Sequence, residues 1–166
     1  MKRIVLLMLF LCLSTSAFAL GDPVTDESQL LGCWKQRLYP AGLLPGLGAP
    51  DLYDPVQQKY RWFCFYPDHH FSVLTMNSDK DLSGKDLEQY TSMFPHVMSW
   101  TLLGTGVVRI EHKEDPNQNM NWLVSLAPAA INLADGVAVE KGDMYLGLIN
   151  KAQDAYALLR ILTKVG

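Results

Sequence analysis

The sequence is short of cysteine, of surplus basic charge and of long apolar runs. Its 166 residues include 3 cysteines and 14 Lys+Arg against 17 Asp+Glu, which gives a formal net charge of −3. Because binding to a nucleic-acid backbone needs a basic face, this composition argues against a nucleic-acid partner. After residue 19 no stretch approaches the roughly 20 apolar residues of a spanning helix, so no membrane span is expected.

Motifs for catalysis and for cofactor binding are also lacking. The chain has no G-x-S-x-G nucleophile elbow and no zinc-ligand spacing of its cysteines. His69 and His70 raise the hypothesis of a metal site, but adjacent strand residues point to opposite faces, which favours a plain hairpin turn. Residues 79–84 match the first half of a calcium loop, yet Tyr90 stands where the bidentate Glu is needed. No catalytic residue, metal ligand or cofactor is predicted.

The N-terminus has the pattern of a cleavable signal peptide. Two basic residues precede an apolar run over residues 4–13, and a polar stretch then ends in an A-x-A site at residues 17–19. Cleavage after Ala19 makes residues 1–19 the signal peptide and residues 20–166 one domain. Removal of the two basic residues lowers Lys+Arg from 14 to 12 and the formal net charge from −3 to −5. We therefore expect a secreted or periplasmic protein.

The expected cleavage leaves two cysteines, Cys33 and Cys64. An even number of cysteines in a compartment where disulfides persist predicts a bond between them. In the chain-entropy model, a disulfide that closes a loop of about 30 residues stabilises the folded protein by roughly 3 to 4 kcal/mol. Two buried free thiols are the alternative.

Eight segments carry strand patterns and one carries a helix pattern. The clearest strand covers residues 59–66, where apolar side chains occupy both faces. Ser83, with Asp86 three residues later, predicts the start of a helix that ends before Pro95. The strand segments are residues 30–38, 59–66, 71–76, 97–103, 106–112, 120–127, 144–149 and 155–163. Residues 128–139 receive no assignment.

The number and length of these segments predict the fold class. Short strands with tight connections are antiparallel, and eight of them suit a barrel that closes on itself and leaves no exposed edge. We expect a mainly β protein, a single eight-stranded antiparallel up-and-down barrel with one short helix. An outer-membrane barrel is the rival architecture, but its strands alternate over about ten residues, and most of these are shorter.

Two short features resemble the lipocalins and their wider calycin group. Gly32-Cys33-Trp34 lies in the first strand, where that family has a G-x-W motif, and Arg160 lies in the last strand. The resemblance implies a lipocalin-like barrel in which Arg160 packs across Trp34 in a cation–π contact that closes one end. It also implies a function, the binding of a small apolar molecule inside the barrel.

Five residues are candidates for contact with such a ligand. Arg61 and Arg109 each interrupt an apolar strand, and an arginine that faces inward must be paired or must meet an anionic ligand. Aromatic side chains are what a ligand cavity uses, and Phe63, Phe65 and Trp122 are the candidates here. The alternatives remain open that the two arginines lie on a wet face and that the aromatic residues fill a solid core.

The orientation of the disulfide follows from strand alternation. If Trp34 faces the interior, as the family resemblance implies, Cys33 faces outward, and Cys64 must do the same for the bond to form. Phe63 and Phe65 then face inward. The aromatic side chains on the outer face of the same strand need cover from the helix around Leu87, Tyr90 and Phe94, or from the loop over residues 40–55.

Three hypotheses for the function result. The first is an exported carrier of a small hydrophobic molecule. The second is an envelope protein-interaction module or inhibitor that acts through the proline-rich, leucine-containing loop over residues 40–55, which a protein partner could contact. The third is a barrel isomerase or cyclase that acts on a lipid-like substrate.

Overall fold

The computed structural model describes residues 21–38, 60–132, 138–150 and 155–166. The predicted signal peptide, residues 1–19, and the loop over residues 40–55 lie outside the described residues, so both stay predictions. In chain order the described strands and helix are β1 Asp22–Pro23, β2 Gly32–Gln36, β3 Tyr60–Phe65, β4 His70–Met76, α1 Gly84–Ser92, β5 Met98–Gly104, β6 Val107–His112, β7 Met120–Leu126, β8 Ile131–Asn132, β9 Ala138–Val139, β10 Met144–Asn150 and β11 Ala155–Lys164.

Eight of these strands form one closed antiparallel barrel, and the fold class is confirmed. Along the chain, β2 to β7 pair each with the next, β7 pairs with β10, and β10 pairs with β11. The last strand then returns to the first, since Leu162 pairs with Gln36 and Lys164 pairs with Trp34. Closure gives each wall strand a neighbour on both sides, although β4 and β5 pair at only two positions.

Alternation along the strands separates the barrel interior from its outer surface. On β3, Phe63 and Phe65 belong to the interior cluster together with Trp34, whereas Trp62 and Cys64 belong to a second cluster on the outside. This orientation confirms the prediction made from strand alternation. The interior cluster also contains Phe71, Trp100, Val108, Ile110, Trp122, Val124, Met144, Leu146 and Leu162.

The segment before β2 covers one end of the barrel. A capping box at Asp26 begins a short 3-10 helix, Glu27–Gln29, and Val24 and Leu30 on either side of it are fully buried in the interior cluster. The Trp34 indole N–H donates to the Leu30 carbonyl oxygen at 2.7 Å, which ties this cover to the first barrel strand. The sequence patterns did not predict this cover or the short strands β1, β8 and β9.

Gly106 is required where the cover meets the turn between β5 and β6. Its φ is +69°, a left-handed conformation that side chains with a Cβ rarely adopt. A Cβ placed there would lie 3.1 Å from Pro23 and 3.2 Å from the Val124 carbonyl oxygen. The close approach lets the Gly106 N–H donate to the Val24 carbonyl oxygen at 2.6 Å.

Helix α1 covers the outer aromatic surface of β3 and is one of the two covers that the sequence left open. Ser83 and Asp86 form the predicted capping box, each side chain accepting from the other residue's backbone N–H. Leu87 is fully buried in the outer cluster with Trp62 and both cysteines. The helix ends at Ser92, earlier than the pattern indicated. No helix in the described ranges is long and apolar enough to cross a membrane.

The predicted disulfide is present. Cys33 and Cys64 are directly opposed on β2 and β3, and their sulfur atoms are bonded at 2.02 Å. Both residues are buried in the outer cluster. The bond therefore lies on the outside of the barrel wall, beneath α1.

Lys164, a residue that the sequence patterns did not single out, lies over the Trp34 ring. The Lys164 ammonium lies 5.2 Å from the centre of the Trp34 ring, while the Arg160 guanidinium lies 5.5 Å from the centre of the Phe63 ring. Strand register explains the position of Lys164, because β11 places Lys164 directly opposite Trp34. The expected contact between Arg160 and Trp34 stays a prediction, and the structure adds Lys164 as a cation over the Trp34 ring.

Removal of the disulfide should destabilise the fold substantially. The Cys33→Ala/Cys64→Ala variant frees a loop with a sequence separation of 31 residues, which increases the entropy of the unfolded chain. We expect the free energy of unfolding in guanidinium chloride to fall by about 3 to 4 kcal/mol. The control is that a reducing agent lowers the stability of the wild type and leaves the variant unchanged. A loss below about 1 kcal/mol would contradict the entropic account.

Candidate functional site

The interior face of β3 forms the centre of the candidate site. Its inward side chains are Arg61, Phe63 and Phe65, and the register pairs them with Thr75, Val73 and Phe71 of β4. Directly paired residues lie on the same face of a sheet, so all six side chains belong to one continuous patch of the inner wall. Four of the six side chains are apolar and two are polar.

Aromatic packing surrounds Phe63. Its ring centre lies 6.2 Å from that of Trp122 in an edge-to-face arrangement and 6.5 Å from that of Phe71. Phe65 continues the cluster, at 5.0 Å from Phe71 and 5.6 Å from Trp100. The structure therefore brings together three of the residues that the sequence singled out, Phe63, Phe65 and Trp122, on one interior surface.

Two buried arginines lie at this aromatic surface. Arg61 is 6% exposed and Arg160 is 7% exposed. Arg160 contacts the Phe63 ring and donates a hydrogen bond to the side-chain oxygen of Gln36 at 2.5 Å. Arg61 is two residues from Phe63 on the same inward face of β3. The apolar interior therefore has a cationic region beside Phe63.

Arg109, the other candidate arginine, lies on the outside. Val108 and Ile110 belong to the interior cluster, so strand alternation turns Arg109 outward, where its side chain is 41% exposed and pairs with Glu111 at 2.8 Å. The expectation of an inward-facing Arg109 rests on its apolar neighbours in sequence. On a strand they indicate the reverse, because adjacent residues point to opposite faces. The expectation that Arg109 contacts an interior ligand is wrong.

One interior polar group has no hydrogen-bond partner among the described residues. The Trp122 indole N–H is buried, and Trp122 as a whole is 6% exposed. A buried donor without a partner costs about 1 to 3 kcal/mol, unless a water or a ligand accepts its hydrogen bond. Its position next to Phe63 adds a hydrogen-bond donor to the candidate site.

The barrel wall has a gap between β4, after Phe71, and the start of β5 at Met98, and we call this gap the side opening. A pocket of about 280 Å³ lies there, close to the lower limit of about 300 Å³ for small-molecule sites. It is lined by residues from both faces of β4, which include the inward residues Phe71, Val73 and Thr75, and by Met98 of β5. Phe71, Val73 and Thr75 are the register partners of the β3 residues at the centre of the site. The sequence patterns did not identify Val73, Thr75 or Met98.

A larger groove lies on the outer surface and is less suited to an apolar ligand. It has a volume of about 570 Å³ and is lined by residues that include Lys35, Arg37 and Asp79. Its charges are already paired, since Lys35 contacts Asp79, and Arg37 contacts Asp143 at 3.1 Å. We therefore place the candidate site in the barrel interior.

Next to the side opening, two histidines contact each other where α1 meets the turn before β4. The ring centres of His70 and His96 are 3.5 Å apart, and the His70 side chain is 8% exposed. Burial lowers the pKa of His70, and the neighbouring His96 and Lys113 lower it further, while Asp68 opposes the shift. In the described residues no group of three or more His, Cys, Asp or Glu side chains is arranged to hold a metal ion.

His70 should make the fold sensitive to acid. Its pKa in the folded state lies below the value of about 6.5 in the unfolded chain, so the unfolded state binds the proton more readily. Stability is therefore fully present above about pH 6.5 and declines as the pH falls toward the folded-state pKa. Urea unfolding at pH 7.5 and 5.5 measures this decline, which His70→Gln should reduce. His69→Asn is the control, because His69 is exposed, and it should lose as much stability between the two pH values as the wild type. If His70→Gln loses as much stability as the wild type, the acid sensitivity does not come from His70.

Comparisons with known proteins complete the description of the site. No family model, no curated protein and no solved structure matches this chain. The function must therefore be argued from the barrel interior, its charges and its side opening.

Proposed function

We propose that the protein is an exported, lipocalin-like carrier that binds a small hydrophobic molecule inside its barrel. The observation that carries the proposal is the exposure of Val73. This residue is the register partner of inward-facing Phe63, yet it is 38% exposed, so the inner wall is accessible to solvent at Val73. A carrier needs this combination of an apolar interior and a route into it.

The chemistry of the interior favours an amphipathic ligand with one anionic group. The aromatic rings of Phe63, Phe71 and Trp122 suit its apolar part. The Arg160 guanidinium lies beside the Phe63 ring, and Arg61 is two residues from Phe63 on the same inward face. Guanidinium groups bind carboxylates and related anions through paired N–H donors. The Trp122 N–H supplies a further donor to an oxygen atom of the ligand.

The compartment fits this proposal. The expected signal peptide directs the chain out of the cytoplasm, and the Cys33–Cys64 bond is of a kind that persists in the periplasm or outside the cell. A small molecule with a large apolar surface dissolves poorly in those aqueous spaces, so a protein that encloses it keeps it in solution.

Two fluorescent probes with one apolar framework test the carrier function. N-phenyl-1-naphthylamine is neutral, and 1-anilinonaphthalene-8-sulfonate adds an anionic group. We expect both probes to bind at one site per folded protein, with increased emission and with energy transfer from tryptophan that decreases in Trp122→Phe. Mass spectrometry of an organic extract of the purified protein should also find a bound small molecule. The absence of binding by both probes and of any extracted molecule would overturn the proposal.

Substitution of the interior arginines tests the preference for an anion. Arg160→Gln and, separately, Arg61→Gln should weaken sulfonate-probe binding by roughly tenfold or more, because a hydrogen bond to a charged group contributes about 1.5 to 3 kcal/mol. Binding of the neutral probe should change little. Arg109→Gln is the matched control, with the same loss of charge on the outer face. Equal weakening of both probes would indicate lost packing and contradict an anion site, and thermal unfolding checks that each variant is folded.

A further inference from the structure

The barrel wall is open at one inward-facing position and closed at a comparable one. Val73 of β4 and Val108 of β6 both face the interior, but Val73 is 38% exposed and Val108 is fully buried. The chemistry and the orientation of the two side chains are the same. The difference in exposure therefore arises from the wall beside them.

The gap beside Val73 arises because β4 and β5 pair over a short length. Two residue pairs join them, His70 with Ser99 and Phe71 with Met98. By contrast, β4 pairs with β3 along six positions that extend to Met76. In the described part of the chain, β4 beyond Phe71 has no strand partner on its β5 side.

The chain before β5 lies beside β4 but does not pair with it as a strand. Pro95 has no N–H with which to pair, and it precedes a segment that contacts β6 instead, since the Val97 carbonyl oxygen accepts from the Lys113 N–H at 2.8 Å. The gap is thus a consequence of where β5 begins and of the proline before it.

An apolar rim borders the gap on the outside. Helix α1 is held to the barrel by buried Leu87 and by the hydrogen bond between Thr91 and the Tyr66 hydroxyl at 2.5 Å. After the helix ends, Met93 is 65% exposed and Phe94 is 62% exposed. Phe94 lines the pocket at the side opening, together with inward-facing Val73.

We infer that the ligand enters and leaves the barrel through the side opening, past Phe94 and Val73, to reach the surface around Phe63. The inference rests on the proposed carrier function. This route differs from entry along the barrel axis. The segment with fully buried Val24 and Leu30 covers one end of that axis. An apolar molecule would pass from the Phe94 ring to the Phe63 layer across Val73, the register partner of Phe63.

The first test measures whether the opening exists in solution, without any ligand. Cys33 and Cys64 are bonded to each other, so a new cysteine in the mature chain provides a single thiol. Val73→Cys should react with a maleimide reagent at least about tenfold faster than Val108→Cys, because thiol modification follows exposure. Val124→Cys is a second buried control if Val108→Cys folds poorly. Bound N-phenyl-1-naphthylamine should slow the reaction of Val73→Cys.

The second test measures the route by kinetics. Phe94→Ala removes a ring from the rim, so stopped-flow association and dissociation rates of N-phenyl-1-naphthylamine should both rise by roughly threefold, while the dissociation constant changes less than about twofold. Equal changes in both rates are expected of a residue on the route, whereas a residue of the binding surface changes the affinity. Met93→Ala is the matched control, because Met93 is equally exposed and does not line the opening.

The outcomes separate this inference from the carrier function. If Val73→Cys reacts no faster than the buried controls, the opening is closed in solution and the inference fails even though the probe binds. If Phe94→Ala leaves both rates unchanged, the route lies elsewhere and the carrier function stands. If the wild type binds no probe, the carrier function and the access route both fail.

Discussion

The backbone pairing between β2 and β3 sets the orientation of every residue in this part of the barrel wall. It places Trp34 opposite Phe63 on the inside and Cys33 opposite Cys64 on the outside. A shift of one residue would exchange the two faces, turning the cysteines into the apolar interior and Phe63 into solvent. The disulfide prevents this shift covalently. The interior surface proposed to bind a ligand therefore depends on a bond that lies on the opposite side of the wall.

The outer cluster beneath α1 explains how β3 is apolar on both faces. Trp62 and Cys64 are fully or almost fully buried although they face away from the interior, because Leu87 packs over them. A strand of an antiparallel barrel usually exposes one face to water, which gives an alternation of apolar and polar residues. In this protein α1 covers the outer face of β3, which would otherwise contact water. The same helix ends next to the side opening, so α1 both covers the outer face of β3 and borders the gap in the wall.

The side opening is a departure from complete strand pairing that the fold tolerates. Backbone groups along β4 that lack a strand partner can bond to water, because Val73 and its neighbours are partly exposed. The burial of the interior arginines is a second departure, since a buried charged group needs compensating partners, such as the Gln36 side chain that accepts from Arg160. Both departures occur at the level of Phe63 in the barrel. Such local exceptions to the rules of packing are expected at functional sites.

The sequence by itself determined the elements whose signals are local. Alternation predicted β3 and the faces of its side chains, the Ser83 and Asp86 pair predicted the start of α1, and the even cysteine count predicted the bond. These signals involve residues that lie on one element, or on neighbouring strands. The eight-stranded count was predicted from the same local patterns.

Tertiary structure alone decided which distant residues meet. Lys164 lies over Trp34 because the register between the first and last strands is set by the closure of the whole barrel. Arg109 faces outward because its strand pairs in that orientation with both neighbours. The exposure of Val73 depends on β5 beginning too late to cover it. Strand register and strand ends arise from the packing of all eight strands, so no local pattern contains them.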